Sequence, residues 1–250
     1  MKKISIIIAC LNANEKLALT IDSIIVQNYT NLEIIIIDGK STDNTLKILN
    51  TYKENISLII SEKDYGIANA WNKGLKYATG DLINFLNAGD YYEKNILSKI
   101  VKESLLYDTP FIGYGDTIMY KPRIGITNKV KGFYKKSNLY LLNGFKFMHP
   151  TVFFTSNVID IIGDFNENKK IGMDTDWLVR SIRNNIRIVN IKSVVYMEEG
   201  GLSDKYKYTG MGEYLDSLVH NGINKWQISL FFLFRFLGTF KFLFSKNYNE

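Results

Sequence analysis

Residues 61–90, SEKDYGIANAWNKGLKYATGDLINFLNAGD, set the strongest constraint on how this 250-residue chain can fold. The first six residues are polar and turn-forming. Ile67, Ala70, Trp71, Gly74, Leu75 and Ala78 then recur at helical spacing. Gly80 stands where a left-handed cap would end that helix. Residues 82–86 form a short apolar run with one polar break, which predicts a buried strand. Asn87-Ala88-Gly89-Asp90 follows at once. A carboxylate just past the C-terminal end of a strand lies where open α/β sheets bind ligands. Its small neighbours would let a diphosphate or a metal ion approach the backbone. On these residues alone, an ordinary strand-ending turn explains the pattern equally well.

The preceding chain repeats this rhythm. Residues 4–9 are apolar and follow Met1-Lys2-Lys3, as in a signal peptide, but the run is short and Asn12, Asn14 and Glu15 follow directly. A first buried strand explains it better. Residues 16–27 read as a helix, 32–37 as a second strand, 45–52 as a helix and 57–60 as a third strand. Strands alternating with helices imply right-handed crossovers, so the predicted fold class is α/β with a mostly parallel central sheet flanked by helices. Farther on, 95–107 reads as helix, 111–119 as extended, 152–154 and 186–195 as strands, and the segment around Asp174 as helix. Residues 121–138, basic and glycine-dotted, read as a mobile segment. Residues 198–203, with Lys205 and Lys207 beyond, read as a glycine-hinged lid. We divide the chain into a main domain at 1–205, with halves at 1–100 and 101–205, and a helical tail at 206–250.

At 46% hydrophobic and 22% charged residues the chain is globular. A net charge of +6 admits an anionic membrane or a phosphorylated substrate as partner, and no basic stripe dense enough for nucleic acid is present. Cys10 is the sole cysteine, which excludes an internal disulfide and fits a reducing cytoplasm. Residues 226–244, WQISLFFLFRFLGTFKFLF, approach the length of a membrane span, but Arg235 is costly at its centre. The tail is therefore expected to lie on a membrane surface, to meet a second subunit in a homo-oligomer, or to bury against the domain.

Asp38, Asp90 and the pair Asp174/Asp176 each fall after a predicted strand or at a helix start. A parallel sheet would bring Asp38 and Asp90 to one edge. One carboxylate there could accept a base N–H while another holds a divalent ion that offsets phosphate charge. Asp38 in Asp-Gly-Lys-Ser-Thr-Asp is equally good turn and cap chemistry, and Asp174 and Asp176 could cap their helix through Arg180. His149 is a candidate metal or phosphate contact, or a hydrogen-bonded histidine in an acceptor cleft. The Gly-x-Gly-x-x-Gly fingerprint and the Walker loop are both absent, which argues against an ordinary dehydrogenase or a P-loop NTPase.

The order SIIIACLN (5–12), IIDGKSTDNT (36–45), NKG (72–74), ATG (78–80) and FLNAGD (85–90) resembles the family-2 inverting glycosyltransferases with the GT-A fold. Within that family it is similar to the bacterial branch that builds surface polysaccharides. The likeness covers roughly residues 1–205. It implies transfer of a sugar from a nucleotide diphosphate donor, UDP in preference to GDP, to a saccharide or lipid-linked acceptor at the cytoplasmic face of the inner membrane. It also implies Mn2+ or Mg2+. Asp38 matches the residue that reads the base, flanked by Ala9, Leu11 and Asn12. Ser41, Asp64, Gly66, Asn72 and Lys73 match the nucleotide-sugar pocket. Asp90 matches the last acid of the metal motif, and Asn87, Ala88 and Gly89 complete that loop. Asn87 and Gly89 stand where the commoner pattern has acids, which leaves one carboxylate there. Asp174 matches the catalytic base, with Asp176 as the alternative because Met173 replaces the usual Glu. A catalytically silent sugar-nucleotide-binding scaffold on the same fold is the second reading.

Overall fold

The computed structural model of the protein describes residues 1–107 and 110–233. Among these residues nine strands form one sheet: β1 (Ile4–Cys10), β2 (Leu32–Asp38), β3 (Leu58–Ser61), β4 (Leu82–Asn87), β5 (Tyr91–Tyr92), β6 (Phe111–Lys121), β7 (Gly125–Val130), β8 (Phe153–Thr155) and β9 (Arg187–Glu198). The strand order is β3-β2-β1-β4-β8-β6-β9-β5, with β7 added to β6. The run β3-β2-β1-β4 and the pair β6–β9 are parallel, whereas β8, β5 and β7 run antiparallel to their neighbours. The helices are α1 (Asn14–Ile25), α2 (Thr45–Thr51), α3 (Ile67–Leu75), α4 (Ile96–Ser104), α5 (Asn138–Leu142), α6 (Asn157–Ile162), α7 (Met173–Arg183), α8 (Leu202–Lys205) and α9 (Lys207–His220).

The near-continuous apolar strands follow from burial on both sheet faces. In β1, Ile4, Ile6 and Ile8 pack on one face toward α1 and α4, and Ile7 packs on the other toward α3. All four are fully buried, each contributing about 1.5–3 kcal/mol. In β4, Leu82 and Leu86 join the first core while Ile83 and Phe85 join the second. The polar break in β4 is Asn84, whose Nδ2 donates to the carbonyls of Pro150 (3.0 Å) and Val152 (2.7 Å). Its Oδ1 accepts from Tyr92 Oη. That buried amide fixes the short 3-10 turn His149–Thr151 against the sheet. A third apolar cluster joins α5, α7 and α9 with Ile223 and Ile228, so the chain beyond 205 packs on the helix that carries Asp174.

Two expectations differ. Residues 121–138 are not irregular throughout: β7 pairs with the outer half of β6 in a hairpin. Neither face of β7 is covered, so no apolar alternation marks it in the sequence. The expected lid at 198–203 instead contains the last residue of β9 and the start of α8. Residues 225–233 are helical, and the remainder of the aromatic tail lies outside the described residues. Among the described residues no helix is long and apolar enough to cross a membrane.

Candidate active site

β1 lies between β2 and β4, parallel to both, so the chain reverses its direction of sheet growth there and leaves a crevice at the strand C-termini. Register sets Cys10 beside Asp38, and Ala9 lies between Ile37 and Asn87. Asp38 is fully buried. Its carboxylate accepts from the Ser41 N–H (3.1 Å), Ser61 Oγ (2.6 Å) and Ser41 Oγ. Burial, with the Asp38 charge 3.9 Å away, pushes the Cys10 thiol up to about 12. Asn12 and Lys40 take left-handed backbone (φ 51° and 65°), and Ser41 Oγ accepts from the Asn12 N–H at 2.8 Å, locking the two loops together. Asp64 lies directly over Gly39. A Cβ at that glycine would come within 2.5 Å of Asp64 Oδ2. Asp64 also accepts from the Gly66 N–H at 3.1 Å. Ala9, Leu11, Asn12, Asp38, Ser41, Asp64 and Gly66 thus share one end of the crevice.

The 87–90 turn is pinned to α1 by Thr20, whose hydroxyl accepts from the Gly89 N–H (2.9 Å) and donates to the Asp90 carbonyl (2.8 Å). Gly89 has φ 107°, and a Cβ there would meet Glu198 Oε2 at 2.8 Å, so glycine answers both the conformation and the close approach. Asp90 is buried. One carboxylate oxygen accepts weakly from the Glu198 N–H (3.3 Å), and Oδ2 has no partner among the described residues. Burial pushes Asp90 up to about 7; the nearby Glu198 charge adds to this, and backbone donors and Lys16 oppose it. Lys16 Nζ pairs with Glu198 at 2.7 Å. Glu198, Lys16 and Thr20 come from distant segments; nothing in their local sequence singles out Lys16 and Thr20, and Glu198 belongs to the segment expected as a lid. A buried carboxylate oxygen without a partner suits one oxygen ligand of a hard cation. Among the described residues no three His, Cys, Asp or Glu side chains form a cage, so the remaining ligands would have to be phosphate oxygens and water.

Asp174 stands in the first turn of α7. With His149 it borders a narrow apolar cavity walled by Trp71, Phe85, Phe154 and Trp177. Desolvation pushes Asp174 up to about 6, against the opposing Thr175 N–H bond, and pushes His149 down to about 4. His149 Nε2 faces Asn87 Nδ2 at 3.0 Å and its Nδ1 faces Asp174 Oδ2 at 3.6 Å. An amide donor at Nε2 leaves the proton of a neutral imidazole on Nδ1, directed at the carboxylate. His149 therefore links the 87–90 loop to Asp174.

Three further candidates are placed elsewhere. Asn72 is buried, and its amide bonds to both backbone polar groups of Phe165 and to Glu167. Lys73 pairs with Glu62 (2.7 Å) and donates to the Lys63 carbonyl, bracing the loop that carries Asp64. Asp176 points into a separate polar groove, where it pairs with Arg180 (3.0 Å) and accepts from Ser217 (2.8 Å). On the same groove wall, Glu213 of α9 accepts from the N–H groups of Lys170, Ile171 and Gly172 at 2.9, 2.9 and 2.7 Å. It thereby anchors the segment that leads into α7 from another helix, an arrangement with no local sequence signal.

The sequence matches Glycosyl transferase family 2 over residues 5–160. The chain belongs to glycosyl transferase family 2. A PGL/p-HBAD biosynthesis glycosyltransferase of Mycobacterium bovis (strain BCG / Pasteur 1173P2) is 31% identical over 209 residues, which is 80% of this chain and 78% of that protein. The Escherichia coli UDP-Glc:alpha-D-GlcNAc-diphosphoundecaprenol beta-1,3-glucosyltransferase WfaP is 42% identical over 94 residues, 37% of each chain. Among solved structures, the mannosyltransferase PcManGT from Pyrobaculum calidifontis, in complex with GDP-Man and Mn2+, superposes with a TM-score of 0.65 at 17% identity. That match covers 89% of this chain and 65% of the other, and at this identity it speaks to the fold. The GT-A architecture expected from the motifs is thus the one observed, and the family-2 chain is a glycosyltransferase.

Proposed function

We propose that this family-2 glycosyltransferase is inverting and metal-dependent, and moves a sugar from a UDP-sugar to a saccharide or lipid-linked saccharide acceptor in surface polysaccharide assembly. The observation that carries the reading is Asp174: a carboxylate in the first turn of a helix, raised to about 6 by its apolar surroundings and faced by a neutral His149. A carboxylate with that affinity is still ionised at neutral pH, yet is a stronger base than a solvated aspartate. Asp174 takes the acceptor hydroxyl proton as the oxygen attacks the anomeric carbon. The bond from that carbon to the donor phosphate oxygen breaks, its electron pair leaves with the nucleoside diphosphate, and the configuration inverts. His149 Nδ1–H orients the carboxylate and moderates its charge before the proton arrives. Asp38, Asp64 and the Ala9–Asn12 loop hold the nucleoside at the other end of the crevice. A divalent ion held by Asp90 Oδ2 and donor phosphate oxygens would offset the charge growing on the leaving group.

UDP is preferred because the donor is written into the name of WfaP, and an undecaprenyl diphosphate acceptor there supports a lipid-linked acceptor here. A lipid-linked acceptor of this kind would put the enzyme at the cytoplasmic face of the inner membrane, and that location is part of the same proposal. Asp174→Asn tests the reading. Turnover should fall about 10²–10⁴-fold while the thermal shift induced by UDP with Mn2+ stays as in the parent. An unchanged rate would reassign the base, and a parent that binds UDP-sugars but never turns one over would make the chain a sugar-nucleotide-binding scaffold.

A further inference from the structure

The charge of this protein is concentrated in one place. Residues 121–136, KPRIGITNKVKGFYKK, hold six of its 31 Lys and Arg and no acid. The other 25 basic residues are balanced by the 25 Asp and Glu, so this segment accounts for the whole net charge of +6. It forms the outer part of the β6–β7 hairpin and the strand-like chain beyond it. All of its residues from Lys121 to Lys129 are exposed, and β7 has β6 as its one strand partner among the described residues. Lys121 pairs with Glu199 at 3.1 Å; among the described residues the other five cations form no ion pair. Ile124 at the turn and Ile126 beside it are 73% and 55% exposed, and Phe133 is 54% exposed.

Lysines alone would be read as guards that keep an edge strand from pairing with another chain. Guarding does not account for two isoleucines presented to solvent at the tip, where they work against it. Apolar residues at a tip ringed by cations match a bilayer interface, whose anionic headgroups attract the charges while its acyl boundary takes up the side chains. The hairpin also stands beside the site. Tyr120 donates from its hydroxyl to the Gly89 carbonyl at 2.6 Å, and its ring meets that of Tyr91 edge-on. Binding at the tip would therefore bring the Asp90 end of the crevice to the headgroup layer.

We propose that the β6–β7 hairpin is a docking surface for an anionic phospholipid bilayer, with Arg123, Lys129 and Lys131 meeting headgroups and Ile124 and Ile126 entering the interface. The inference deepens the lipid-linked acceptor reading by naming a partner surface, and it rests on that reading for its purpose alone. The test is co-sedimentation of the full chain with phosphatidylcholine vesicles, with and without phosphatidylglycerol. The parent should bind the anionic vesicles, and added salt should release it. Neutralising the triple set by Arg123→Gln, Lys129→Gln and Lys131→Gln should weaken binding roughly 100-fold, at about fivefold per charge. The pair Ile124→Ser and Ile126→Ser should weaken it in addition to any salt effect. All five side chains are exposed and outside the crevice, so melting temperature and vesicle-free donor hydrolysis should match the parent. Parent-like binding by either variant, equal binding to neutral vesicles, or retention on an oligonucleotide with none on vesicles would overturn the proposal. The vesicle result does not depend on Asp174, so failure of the base assignment would leave it standing.

Discussion

Asp90→Asn should make the metal-free protein more stable while removing its response to metal. In the native fold the carboxylate is buried with Oδ2 unpartnered, and burial raises its affinity for a proton from the ordinary 3.8 to about 7. A group whose folded value is raised stabilises the fold fully below about pH 4, and that stability is lost as pH rises through 7. At about 1.4 kcal/mol per tenfold change in proton affinity, three decades set a ceiling near 4 kcal/mol. We expect about 2–4 kcal/mol at pH 8. Asparagine keeps the shape and the acceptor for the Glu198 N–H but carries no charge. The variant should therefore melt roughly 5–10 °C above the parent at pH 8 in EDTA, taking about 2–4 °C per kcal/mol for a chain of this size. The gap should close as pH falls toward 4, where both proteins are neutral at this position. With UDP present, adding Mn2+ should raise the melting temperature of the parent further and add nothing in the variant, because stabilisation by a ligand requires a site that binds it. Paired melts across pH, with and without metal, provide the assay. A variant that melts at or below the parent at pH 8 in EDTA would refute the reasoning, since Asp90 would then be ionised and satisfied, with Lys16 the nearest source of compensation.

Removing this interhelical anchor by Glu213→Ala leaves three N–H groups of the segment before α7 without their charged acceptor, and should cost about 2–4 kcal/mol. Burial opposes ionisation of Glu213, but its three backbone donors outweigh it and hold the carboxyl below the usual range, so the loss should persist from pH 8 down to pH 5 in denaturant melts. The catalytic rate should depend on an ionised Asp174, falling as pH drops through about 6 in single-turnover measurements; an acid limb centred near 4 would mean that the base is a solvated carboxylate elsewhere.

Much of the first half of the molecule is legible in the residues themselves. Apolar runs at 4–9, 32–37 and 82–86, each closing on a polar loop, specify parallel strands, and the loops collect at one edge because all three strands run the same way. Asp38 and Asp90 could be named in advance because each closes or follows its own strand, whereas Asp64 was named only through the family resemblance. The second half was harder. The hairpin strand β7 lacks apolar alternation because water covers both its faces. Asn72 looks like a pocket residue in sequence, but its amide is occupied by the 165–167 loop.

Local chemistry in the chain determined the secondary elements, the strand-end acids and the family. What surrounds each carboxylate was decided by tertiary packing. Asp174 and Asp176 are two positions apart on one helix, so helical geometry turns them to different sides: Asp174 toward His149 and an apolar wall, Asp176 toward Arg180 and Ser217. A solvent-poor cavity raises the proton affinity of the first, whereas the second is held by an arginine and a hydroxyl. Proton affinity is a property of surroundings assembled from residues 71, 85, 149 and 177, and neighbours that distant along the chain meet only once it has folded.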